Sequence, residues 1–103
     1  MVNNKSSGLD AKKQYIWKLL EGLDEHMNNL VDAHKNGDYT VKNKSYKMVR
    51  KHIEALYDLG HITYKVALLL IKKLHSAVKL AFSEAKKIYS EIFRIIEDVK
   101  NVG

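Results

Sequence analysis

A chain of 103 residues is one domain by length, and with 46% hydrophobic and 29% charged residues it has the composition neither of a disordered segment nor of a membrane span. It contains no Cys, which excludes a disulfide scaffold, a thiolate metal site and a thiol nucleophile, and no Pro, which leaves long helices uninterrupted. Eighteen Lys and Arg against twelve Asp and Glu give a formal charge of +6, basic but short of the density of a nucleic-acid tail.

The N-terminus, Met1 to Gly8, is polar, lacks the apolar run of a secretory signal, and is expected to be flexible. Ser7 with Asp10 three residues on has the logic of a capping box, which predicts a first helix over about residues 9–36. Ile16, Leu20, Leu23, Met27 and Leu30 recur at spacings of 4, 3, 4 and 3 and form its apolar stripe. Trp17 lies one residue off that stripe and is expected to pack in the core or at its edge, the alternative being an exposed anchor for a partner. Asn36-Gly37 ends the helix, and Gly37 to Thr40 reads as a loop. A second helix is predicted over 43–59, with Tyr46, Val49, Ile53 and Leu56 on its apolar face and Gly60 closing it. Thr63 is then a good N-cap, with Ile62 and Ala67 placed as a hydrophobic staple.

The third predicted helix, 63–101, has no Gly or Pro from Tyr64 to Val102. Tyr64, Ala67, Ile71, Leu74, Val78, Ala81, Ala85, Ile88, Ile92, Ile95 and Val99 alternate spacings of 3 and 4, a heptad seam whose e positions (Leu68, His75, Phe82, Tyr89, Ile96) widen the apolar face. At 1.5 Å per residue this helix would be about 57 Å long against about 25 Å for the second, so its C-terminal half has nothing to cover it. The expected fold is therefore all-α: a single domain over 1–103, an antiparallel helical hairpin or three-helix bundle with a long C-terminal helix. The alternative is a four-helix bundle with a break near Ser83. In the first case Ala81, Phe82, Ala85, Ile88, Tyr89, Ile92, Phe93, Ile95, Ile96 and Val99, within residues 81–102, form an interface for self-association or for a partner helix.

The positive charge is local. Residues 41–80 hold nine basic and two acidic residues, a net +7, while the flanking segments are close to neutral. Lys44, Lys47 and Lys51 share a helix face with Arg50 on its flank and Lys42 just before; Lys65, Lys72 and Lys79 form a row at heptad spacing. Together with nearby Tyr39 and Tyr46 these eight residues are the candidate binding surface for an anionic partner, nucleic acid in first place. Major-groove reading is disfavoured, because the helix after Gly60 is apolar on nearly every side. Binding to a membrane surface is secondary to burying the seam on another helix.

No Gly-rich phosphate loop, no paired His at ligand spacing and no Gly-x-Ser-x-Gly elbow occur, so no enzyme, cofactor, metal site or small-molecule substrate is expected. Glu54, Asp58 and His61 around the second turn read as solvated and turn residues, and His75 as a boundary histidine. The longest apolar run, Val66 to Ile71, is six residues, far short of the roughly 18–20 that a spanning helix needs, and nothing at the C-terminus matches a lipidation signal, so a soluble cytoplasmic protein is expected. The leading functional expectation is a small, oligomeric, non-enzymatic binding protein. Behind it stand a protein-binding regulator or immunity-type inhibitor acting through an exposed apolar stripe, and a structural subunit of a filament or capsid.

Overall fold

The computed structural model describes residues 4–101, which form four helices: α1 (Asn4–Asn36), α2 (Tyr39–Asp58), α3 (Tyr64–Lys79) and α4 (Phe82–Lys100). Residues 1–3 of the expected flexible terminus, and Val102 at the end of the expected seam, lie outside the described residues. Residues 4–8 are helical, so α1 starts ahead of Ser7 and the expected capping box does not form its end.

The first two joints are written in the local sequence. Gly37 takes φ +74°, which lets Asp38 N–H reach Ala33 O (2.9 Å) and Gly37 N–H reach His34 O (3.3 Å), the paired bonds of a Schellman motif. Asp38 then caps the next helix, its Oδ1 accepting from Val41 N–H at 3.1 Å. That carboxylate satisfies a free donor of the first turn immediately, so α2 begins at Tyr39 rather than near residue 43, and the link is two residues rather than a loop to Thr40. Gly60, at φ +75°, repeats the device with Gly60 N–H on Tyr57 O (2.9 Å) and His61 N–H on Leu56 O (3.0 Å). Thr63 Oγ1 caps α3 by accepting from Val66 N–H at 3.2 Å. His61 serves this turn from within, its Nε2–H donating to Val99 O (3.3 Å) and so fastening the end of α4 beside it.

The third joint overturns the continuous helix. Leu80 (ψ 161°) and Ala81 (ψ 149°) are extended, no side chain caps α4, and the chain folds back so that α3 and α4 form a second hairpin. The break falls two residues before Ser83 and uses neither Gly nor Pro. Its cause is tertiary. Breaking the helix gives up a few backbone hydrogen bonds, each about 1 kcal/mol net. In return Ile92, Ile96 and Val99, with Ala85 and Tyr89, become buried, and a buried Val or Ile is worth about 1.5–3 kcal/mol each. His34 of α1 pins the joint: its Nε2–H donates to Leu80 O at 2.8 Å, its Nδ1 accepts from the Tyr89 hydroxyl at 2.6 Å, and Phe82 and Tyr89 stand edge-on to its ring.

The break also re-phases the apolar face. Within one heptad frame α3 buries Ala67 and Leu74 (d) with Leu70 and Ala77 (g), whereas α4 buries Ala85, Ile92 and Val99 (a) with Tyr89 and Ile96 (e). Around a helix those two pairs of heptad positions point about 110° apart. Successive helices run antiparallel, with α1 on α2, α2 on α3, α3 on α4 and α4 back on α1, closing a four-helix bundle around one apolar cluster. Leu20, Leu23, Met27 and Leu30 of α1 and Val49, Ile53 and Leu56 of α2 supply its other half.

The expected C-terminal interface is thereby used inside the chain. Ala85, Tyr89, Ile92, Ile96 and Val99 are buried, Phe82, Ile88, Phe93 and Ile95 are half-buried against the same cluster, and Ala81 alone of the ten is exposed. The uncovered stripe that motivated it does not exist.

Candidate functional site: a basic face on α2 and α3

The α2 residues that turn away from Val49, Ile53 and Leu56 are Lys44, Lys47 and Lys51, all exposed, as the 3 and 4 spacing requires. Toward α3 the same helix presents Lys42, Asn43 and Tyr46. Because the helices are antiparallel, these residues of the α2 N-terminal half meet His75, Val78 and Lys79 at the C-terminal end of α3. The six line an open groove of about 270 Å³. Tyr46 donates its hydroxyl proton to Nδ1 of His75 across 3.3 Å, in the tautomer that carries the ring proton on Nε2. Lys42 Nζ stands 5.5 Å from the centroid of the Tyr39 ring, which is 72% exposed and open to a stacking partner.

The eight candidate cations are not equivalent. Arg50 is half-buried, pairs with Glu54 at 3.6 Å and lies 6.0 Å from the Tyr46 centroid, so its charge is partly engaged. Lys42, Lys44, Lys47, Lys51, Lys65, Lys72 and Lys79 make no ion pair among the described residues. By contrast Lys73 pairs with Glu91 across α3 and α4 (3.0 Å), and Lys100 pairs with Asp24, whose hydrogen bond holds the ammonium above its ordinary pKa. Position divides the set further. Lys42, Lys44, Lys47 and Lys79 gather at the end of the bundle where α2 begins and α3 ends. Lys65 sits at the opposite end, where Tyr64 meets Tyr57 at 5.9 Å between centroids, and Lys72 lies between. Lys65 and Lys72 flank Val66, Leu68 and Leu69 along a shallow, largely apolar surface of about 400 Å³ on α3.

Acidic residues are almost absent from this side. α3 carries none, and α2 carries only Glu54 and Asp58, both in its second half. Asn43 and His75 join the groove without having been legible as binding residues; their place depends on how α2 and α3 pair, which no local spacing encodes. Among the described residues no three His, Asp or Glu side chains converge in a metal-holding group. None of the described helices is long and apolar enough to cross a membrane. The chain matches no protein-family model, no curated protein and no solved structure.

Proposed function

We propose that this protein is a small non-catalytic binding protein, working inside the cell, whose α2–α3 face takes an anionic partner, nucleic acid in first place, by its phosphate backbone. The observation that carries this reading is the groove in which Lys42 and Lys79 flank Tyr46 and His75, lined by no acidic residue and set among unpaired lysines, with Asp38, the α2 cap, the nearest carboxylate along the chain. A phosphate in the groove would find two ammonium groups, an amide and an imidazole, and exposed Tyr39 offers a neighbouring unpaired base a ring to stack on. Such contacts are blind to sequence, so affinity rather than base selectivity is expected.

The test is a fluorescence-anisotropy titration with labelled single-stranded and duplex oligonucleotides at about 50 mM salt, where the electrostatic attraction is strong. Binding should weaken as salt rises, and Lys42→Glu with Lys79→Glu should remove most of it while the circular dichroism spectrum stays helical. Absence of binding at that salt overturns the reading. A second reading, a protein-binding regulator, draws on Leu69 (44% exposed) and Tyr64 (64%) beside the apolar surface of α3. It predicts that Leu68→Glu with Leu69→Glu abolishes function while the lysine variants do not. A filament or capsid subunit loses the open seam on which it rested.

A further inference from the structure

α1 outruns the bundle it belongs to. It starts at Asn4, and among the described side chains, which begin at Asp10, the first buried one is Leu19, so the nine residues from Asp10 to Lys18 precede the core. From Asp10 to Lys18 every side chain except Ile16 is exposed. α4 ends where Lys100 meets Asp24, so it does not accompany this stretch, and the long dimension of the molecule, 56 Å, is close to the length of α1 itself. A short helical stretch without a partner is marginal in water. At the end of this stretch that joins the bundle, Trp17, expected to pack in the core or at its edge, is 57% exposed. With Lys13, Gln14, Lys18 and Glu21 it lines an open groove of about 470 Å³.

The charges on either side of Trp17 have opposite signs. From Asp10 on, Asp10, Lys12 and Lys13 precede it with a net +1, and Lys18, Glu21, Asp24 and Glu25 follow with a net −2. An anionic surface would be attracted by the first group and repelled by the second, which disfavours both nucleic acid and acidic lipid here. A helix with the same sequence running the opposite way satisfies both. We infer that this face of α1 pairs antiparallel with the same face of a second copy, about a twofold axis at Trp17. Residues four before and four after Trp17 then face each other across the axis, so Lys13 of each copy meets Glu21 of the other, and the two indoles pack at the centre. Asp10 comes opposite Asp24, whose charge Lys100 already holds. This face shares no residue with the groove of Lys42, Tyr46, His75 and Lys79, so the pairing does not rest on the proposed anion binding.

The experiment uses the full chain. Sedimentation equilibrium at tens of micromolar should show a dimer, and because Trp17 is the sole Trp, its emission should shift to the red on dilution as the indole returns to water. Lys13→Glu or Glu21→Lys alone should weaken dimerisation about tenfold, since each change acts twice across the axis. The double swap should restore it. Trp17→Ala should give a monomer with unchanged helix content. A strict monomer, or a double swap no better than the single variants, overturns the inference. Emission that ignores protein concentration and shifts to the blue with phosphatidylglycerol vesicles overturns it in favour of a lipid surface.

Discussion

The two hairpins of this bundle are made differently. α1 and α2 are joined at Gly37-Asp38, where one residue supplies the left-handed conformation and the next supplies a cap. α3 and α4 are joined at Leu80-Ala81, where neither residue is a turn former and no side chain caps the following helix. The first joint would turn in any context that tolerates its helices. The second turns because an apolar stripe beyond it has a core to reach and because His34, forty-six residues earlier in the chain, holds the Leu80 carbonyl. A bend can therefore be encoded at a distance, and its stability must depend on residues outside it.

Substitutions that separate the two cases follow in order of expected size. Ile92→Ala or Ile96→Ala should cost about 2–5 kcal/mol by urea unfolding, because each removes a fully buried side chain that holds α4 against α3. If either costs under about 1 kcal/mol, α4 is not held by the core and the comparison fails. His34→Ala should cost about 1–3 kcal/mol, since it leaves the Leu80 carbonyl and the Tyr89 hydroxyl without their partner. Burial has already pushed the Tyr89 phenol up to about 12, so that group stays protonated and wants an acceptor across the ordinary pH range. At the local joints Gly37→Ala and Gly60→Ala should each cost about 1–2 kcal/mol through the left-handed backbone alone, while Ala81→Gly, where φ is −60°, should cost less. Thr63→Ala, a lost cap, belongs near 1 kcal/mol.

The smallest effect is a pH slope. Burial lowers the pKa of His34 below 6.5, opposed by the Leu80 carbonyl and aided by Lys42. Burial likewise lowers His26, helped by the charge of His52, whose ring meets it edge-on at 4.9 Å, and opposed by Glu25. In both cases the folded state favours the neutral ring. Their contribution to stability is complete above the unfolded value of 6.5 and is lost as pH falls through the lowered folded values. The melting temperature should therefore drop on acidification below about pH 6.5, and His34→Ala with His26→Ala should flatten that drop.

Much of the fold could be read from residue spacing. The stripe of Leu20, Leu23, Met27 and Leu30, the α2 face of Val49, Ile53 and Leu56, and the Thr63 cap all stand where 3.6-residue periodicity and capping chemistry place them. Leu70 and Ala77 were not legible as core, because the heptad seam continues smoothly through residues 80 and 81 and conceals the change of phase there. For the same reason the C-terminal seam read as an interface between chains, whereas nine of its ten residues, all but Ala81, are buried or half-buried within one. On the candidate site, the exposed lysines of α2 follow from the local pattern, whereas the juxtaposition of Lys42 and Lys79, with Asn43 and His75 between them, does not.

By itself the sequence determines helix content, the Gly-terminated joints, the inward faces of α1 and α2, and the concentration of positive charge between residues 41 and 80. These are properties of neighbours in the chain, set by side-chain period, capping and composition. Tertiary structure decided that residues 64–100 make two helices, that Trp17 lies open on a projecting α1, and which lysines share a groove. Each of those outcomes weighs a local preference of a few kcal/mol against burial shared among four helices, and that balance exists only once the helices have packed.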